Sequence, residues 1–259
     1  MRASDVIAVL ESFAPASVQE PWDNSGLQIG SPGQEVHGVL LALDCTPELV
    51  REAVARGCDM IVTHHPLLFD GLKRIEEADP VGRTVIEAVR AGIVVYAAHT
   101  SADKVPGGVS EVMARRLGLE RIEVLAPEAG GVGLGAVGDL PRPLSAAQAV
   151  DLVKNRFGLS VLRCSRPVDV PVRRVAVCGG SGASLIPDAI RSGAQLYLCG
   201  DISYHRFFTP DGFMVADVGH FESEVEIVEV FCALLRKKIP NFASLISEHI
   251  QDSNPIQYL

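Results

Sequence analysis

The sequence predicts an α/β fold with parallel-rich sheets, built from pseudo-repeated βαβ units and interrupted by a small inserted α/β subdomain. Three observations predict it. Short, largely apolar runs such as 60–63 and 196–199 are bounded by turn residues, the mark of strands buried on both faces of a parallel sheet. Segments with helical spacing and terminal signals separate those runs. The pattern also recurs: residues 53–62 and 189–198 share spacing and apolar positions.

The elements follow in order. Val6, Ile7, Leu10 and Phe13 share one face of a helix over residues 4–14, with Ser4 as its expected N-cap. The turn-rich segment Pro21-Trp22-Asp23-Asn24-Ser25-Gly26 comes next, and Trp22 either lines the cleft or, as size and apolarity favour, packs in the core. A buried strand spans 38–44. Thr46-Pro47-Glu48 then opens a helix with a capping residue, a first-turn proline and an acid, and Gly57 closes it. The strand 60–63 ends directly on His64-His65-Pro66, and a strand over 93–98 ends on His99. Residues 126–168 differ in character. They run from the glycine-rich stretch 130–135 through Pro141-Arg142-Pro143 to a helix over 144–157 and a short strand at Val161-Leu162. They are expected to form the inserted subdomain between lobes at 1–125 and 169–259. The repeat then resumes with a strand at 175–178, a glycine loop at 179–182, a helix at 184–192, a strand at 196–199 and a strand at 214–218 before His220. The glycine loop either holds an anion on its N–H groups or allows close packing of helix on strand.

Composition narrows the classes of function. With 23 Lys and Arg against 32 Asp and Glu, the formal charge of −9 disfavours loose binding to a nucleic-acid backbone. Six scattered cysteines with no C-x-x-C pair read as buried, reduced thiols. Asp5 and Glu11 break the N-terminal apolar stretch, so it is not read as a signal peptide, and no run of about 18 apolar residues suggests a membrane span. A cytoplasmic protein is expected.

The chemistry gathers at strand ends, where open α/β sheets bind ligands. His64 and His65 diverge, so each can address a different metal of a close pair. His99 and His220 are each followed four residues later by a carboxylate, Asp103 and Glu224, a spacing that brings both side chains to one helical face. Imidazole with carboxylate suits Zn, Mn or Fe(II), and the absence of cysteine ligands argues against a structural thiolate zinc site. One histidine alone carries little weight; the combination carries it. His37 and His249 lack such company and are expected in solvent.

These blocks resemble the Nif-three-like family, whose members are often labelled GTP cyclohydrolase 1 type 2 homologues. The resemblance runs nearly end to end through Trp22-Asp23-Asn24-Ser25-Gly26-Leu27, Thr63-His64-His65-Pro66-Leu67, His99-Thr100-Ser101-Ala102-Asp103, Gly200-Asp201-Ile202-Ser203-Tyr204-His205 and Gly219-His220-Phe221-Glu222-Ser223-Glu224. It implies two divalent metal ions per chain, with His64, His65, Asp103, His220 and Glu224 as ligands and Glu224 as the bridge. It also implies two interlinked α/β lobes and a homohexameric ring. Ser101 departs from the asparagine that many relatives carry, at a position that is not a ligand.

A metal pair of this kind suits hydrolysis of a carbon–nitrogen, phosphoester or amide bond in a small-molecule substrate. The family label points to a nucleotide, although no residue here reads guanine. His99 and His205 are candidate catalytic groups that either orient a ligand or exchange protons with substrate. The rival expectation is a metal-binding scaffold without turnover, which would direct an exposed apolar patch at a partner.

Overall fold

The computed structural model describes residues 1–257. The chain forms two compact units: Met1–Ala102 with the chain from Ile227 on, and Asp103–Glu226. Among the described residues, no helix is long and apolar enough to cross a membrane.

The first unit contains α1 (Ala3–Glu11), β1 (Gly26–Ile29), β2 (Gly38–Ala42), α2 (Pro47–Ala55), β3 (Met60–Thr63), α3 (Pro80–Ala91), β4 (Val94–Ala97) and the start of α4 (Thr100–Lys104). The second contains α5 (Val109–Arg116), β5 (Glu120–Pro127), β6 (Gly133–Leu144), α6 (Ala146–Phe157), β7 (Arg163–Cys164), β8 (Val172–Val177), α7 (Ile186–Arg191), β9 (Leu196–Cys199), β10 (Met214–Asp217) and α8 (His220–Glu224). The chain then returns to the first unit with α9 (Ile227–Lys238) and β11 (Ala243–Ile246).

The first sheet runs β1-β4-β3-β2-β11, parallel throughout except where β1 meets β4. Every residue of β2, β3 and β4 is buried, which explains their nearly continuous apolar runs. One face packs Leu40, Ile61 and Val95 against Leu49, Val50 and Ala53 of α2 and Ala88 of α3. Thr46 caps α2 as expected, its hydroxyl accepting the Leu49 N–H at 3.2 Å. Ser4 does not cap α1. It lies inside the helix, and the Asp5 carboxylate instead accepts the Arg2 N–H at 2.9 Å.

The second sheet runs β5-β6-β8-β9-β10-β7 and is mixed rather than parallel-rich: β8, β9 and β10 are parallel, and the flanking pairs are antiparallel. The first sheet thus holds four consecutive parallel strands and the second three, and residues 53–62 and 189–198, expected to repeat, each lead into one of them, β3 and β9. Residues 126–168, expected as a separate subdomain, are instead woven into this sheet. Strand β6 pairs with β5 on one side and β8 on the other, and α6 packs Ala149, Val153 and Phe157 into the core under β8 and β9. Glycine disguised the strand. At Gly138 a Cβ would lie 2.8 Å from the Glu120 carbonyl of the neighbouring strand, so the residue is glycine because the backbones approach, not because the chain turns. Strand β7 lies at Arg163–Cys164, two residues beyond its expected place.

Candidate metal site

In the first unit the ends of β3 and β4 present three histidines, and Asp44 lies just past the end of β2. The Thr63 hydroxyl donates to the His65 carbonyl at 2.7 Å, and the His65 N–H donates to Leu43 O at 3.0 Å, which fixes the chain as it leaves the strand. His64 is fully buried, and its Nδ1 lies 2.9 Å from the Ala98 carbonyl. A carbonyl only accepts, so Nδ1 holds the proton and, in the neutral ring, Nε2 carries the lone pair. His65 Nδ1 pairs with Asp44 Oδ1 at 2.7 Å, and His99 Nδ1 with Asp23 Oδ1 at 2.8 Å. Ring centroids of the three lie 5.0–5.5 Å apart. Each offers one ring nitrogen, and these nitrogens fall within 4.8 Å of one another, a spacing a metal ion can span.

Asp23 anchors this arrangement. Its other oxygen accepts from Thr100 N at 3.0 Å, Thr100 Oγ1 at 2.5 Å and Ser25 Oγ at 2.9 Å. Burial works against its charge, but the hydrogen bonds from His99, Thr100 and Ser25 and the nearby imidazole outweigh burial. Together they hold the carboxyl well below the usual carboxylate range.

In the second unit the equivalent strand ends carry carboxylates beside one histidine. Asp201 follows β9 with φ of 53°, a left-handed backbone unusual for a residue with a side chain. Its Oδ2 takes His220 Nδ1 at 2.7 Å. Asp217 locks both turns, accepting from Ile202 N at 3.0 Å and Gly219 N at 3.1 Å. On α8 the expected i, i+4 relation holds: His220 Nε2 lies 3.0 Å from Glu224 Oε2. With Nδ1 donating to Asp201, Nε2 and the carboxylate face each other as two acceptors unless a positive charge lies between them, either a second imidazole proton or a metal ion. Asp103 and Glu224 also bring carboxylate oxygens within 4.8 Å of each other, so Glu224 stands within reach of both Asp103 and His220.

Gly180 makes room for this cluster. Its φ is 57°, and a Cβ there would sit 3.1 Å from His220 Nε2 and closer still to Glu224 Oε1. The N–H groups of Gly179, Gly180 and Gly182 go to Ser110 Oγ, Ser223 Oγ and the Gly180 carbonyl. Of the two readings of this glycine loop, close packing is the one the structure supports.

The donor set is imidazole and carboxylate. The neighbouring thiols stay protonated: burial pushes Cys178 and Cys199 up, the latter to about 12. His37 and His249 are exposed, as expected. His205 is also exposed, on the short helical turn Tyr204–Phe207, edge-on to the Tyr204 ring, and belongs to none of the metal-compatible groups among the described residues. The matching spacing of His99/Asp103 and His220/Glu224 conceals a difference in register. His220 is the first residue of α8, whereas His99 precedes α4, so the two histidines occupy different places in the repeat. Sequence reasoning missed Asp23 and Asp44. Asp44 follows a strand end, the same signal that singled out the histidines.

The Duf34/NIF3 (NGG1p interacting factor 3) family pattern matches residues 1–255. A Lactococcus lactis protein named GTP cyclohydrolase 1 type 2 homolog is 34% identical over 262 residues, covering 98% of both chains. A Clostridium perfringens protein of the same name is 34% identical over 230 residues, covering 86% of this chain and 87% of its own. Among solved structures, a Staphylococcus aureus hypothetical protein superposes with a TM-score of 0.91 at 25% identity, covering 100% of this chain and 99% of its own.

Proposed function

The chain belongs to the Duf34/NIF3 family, and we propose from that premise that it is a divalent-metal-dependent hydrolase binding two ions per chain. In this reading His64, His65, Asp103, His220 and Glu224 are the ligands, and Glu224 is shared. One observation carries it. Every histidine of the two clusters has Nδ1 engaged by an oxygen, from Ala98, Asp44, Asp23 or Asp201, leaving Nε2 as the donor. Such anchoring fixes tautomer and orientation and raises ligand basicity, as at metal-bound histidines generally.

Bound there, the ions would supply Lewis-acid polarisation of the scissile bond and a water acidic enough to ionise near neutral pH. The chain's own residues do the rest. Glu224 and Asp103 offset cationic charge. His99, tied through Nδ1 to the ionised Asp23, can take a proton at Nε2 and keep the resulting imidazolium paired, so the proton-exchange role falls to His99. His205 is left outside this assignment. The relatives' name makes a nucleotide C–N bond, with GTP first, the starting point for a substrate screen. A homohexamer belongs to the same proposal, and light scattering of purified protein checks it.

Elemental analysis of protein purified without a chelating tag tests the metal reading: two ions per chain are expected, and fewer than one after supplementation with Zn, Mn or Fe(II) refutes it. Glu224→Ala should abolish hydrolysis with the fold intact. Full turnover in that variant would move the chemistry elsewhere, whereas metal binding without turnover on any substrate would favour the scaffold.

A further inference from the structure

Trp22 was expected in the core and is not there: it is 61% exposed, and Phe69 beside it is 50% exposed. Their rings meet edge to face, with centroids 6.0 Å apart, and both flank His99, at 6.2 Å from Trp22 and 6.0 Å from Phe69. The three rings are steeply inclined to one another, at 64°, 71° and 80°. All belong to the first unit: Phe69 lies on the segment after β3 that carries His64 and His65, His99 follows β4, and Trp22 precedes β1.

This exposure is held in place. Asp23, the residue after Trp22, carries the hydrogen bonds from His99, Thr100 and Ser25 described above. Leu68, the residue before Phe69, is clamped on both sides: its carbonyl accepts from Asn24 Nδ2 at 2.6 Å, and its N–H donates to Gln28 Oε1 at 3.2 Å. The backbone under both rings is therefore pinned while their faces stay open. Two large aromatics fixed in water forgo burial that each could otherwise contribute.

We propose that Trp22 and Phe69 form a stacking platform that holds a planar heteroaromatic ring of a small-molecule substrate beside His99. This deepens the hydrolase reading and rests on it for the word substrate. Stacking on aromatic faces is sequence-tolerant and strong, and it needs a flat π-system rather than an aliphatic one. The net charge of −9, with Asp44 and Asp70 on the neighbouring loops, selects a free ring compound over a base in a polynucleotide, whose phosphates would need a basic track.

The chain has a single tryptophan, so its fluorescence reports on the platform alone. In the metal-loaded native assembly, acrylamide should quench Trp22 readily. Adenosine and nicotinamide should quench it saturably, and ribose should not. Equilibrium dialysis should show adenosine binding weakened at least about fivefold in both Trp22→Leu and Phe69→Ala, with metal content and circular dichroism unchanged. Adenosine affinity equal to wild type in both variants, quenching by ribose equal to that by adenosine, or a Trp22 shielded from acrylamide because another copy covers it would each overturn the proposal. The same dialysis after EDTA separates the two readings. Ring binding with no turnover on any substrate removes the hydrolase and keeps the platform, whereas turnover of a ring substrate unchanged in Trp22→Leu removes the platform and keeps the hydrolase.

Discussion

Replacing Asp44 with alanine isolates the contribution of a histidine anchor. Asp44 touches His65 Nδ1 at 2.7 Å and is not itself among the proposed ligands. A hydrogen bond to a charged group is worth about 1.5–3 kcal/mol when well shielded. The Asp44 side chain is 36% exposed, so solvent screening places the loss near the lower bound. That gives about 1.4 kcal/mol, or roughly tenfold weaker binding of the ion that His65 holds, the low end of what loss of a histidine anchor costs. Asp44→Asn, whose amide oxygen can still accept the Nδ1–H, should lose less. The assay is competition for Zn against a chromophoric chelator, which resolves two binding steps. One step should weaken in Asp44→Ala and the other should hold. Unchanged affinity in both steps would show that His65 is not a ligand, or that its anchor is irrelevant to binding. Thermal unfolding of metal-free protein serves as control, and the half-exposed position should cost it less than about 1 kcal/mol.

Other substitutions probe the second cluster and the scaffold. Gly180→Ala forces a side chain into the left-handed region at a cost of about 1–2 kcal/mol and drives Cβ against Glu224 and His220; metal content measured by elemental analysis should fall well below that of the wild type. At Glu52, burial opposes ionisation, but hydrogen bonds from Ser247, Glu248 and Arg56 outweigh it and hold the carboxyl below its ordinary value. A group depressed in the folded state stabilises above its unfolded pKa and loses that contribution as pH falls through the folded pKa. The stability gap between wild type and Glu52→Gln in urea unfolding should therefore be full near neutral pH and close as pH drops below the usual carboxylate range. Cys164 is the exposed thiol, whereas Cys58, Cys178, Cys199 and Cys232 are buried, so a maleimide pulse on native protein should label Cys164 first, as peptide mass spectrometry will show.

Much of this was legible in the sequence because buried parallel strands announce themselves. The runs 60–63 and 196–199 match their strands residue for residue, and the residues just past them include His64, His65 and Asp201. Asp44 was hidden because the apolar run 38–44 conceals that β2 stops at Ala42, so a residue beyond a strand end read as part of the strand. Asp23 was hidden for another reason. Its partner His99 lies 76 residues away, and no local periodicity records a contact of that range. The long strand β6 escaped because its glycines, placed where neighbouring backbones crowd, resemble turn signals. Trp22 misled because size and apolarity favour the interior, a tendency that a surface reserved for binding overrides.

The first unit is discontinuous in the chain, and this bears on the order in which the protein can be made. Residues 103–226 form one unbroken stretch that can fold as soon as it leaves the ribosome. The unit bearing His64, His65 and His99 must wait: β2 keeps an open edge until β11, at 243–246, emerges to pair with it, and α9 arrives only just before. A nascent chain halted at Glu226 would carry all the proposed ligands yet display an unpaired strand edge. That edge closes only when the last strand of the unit has been made.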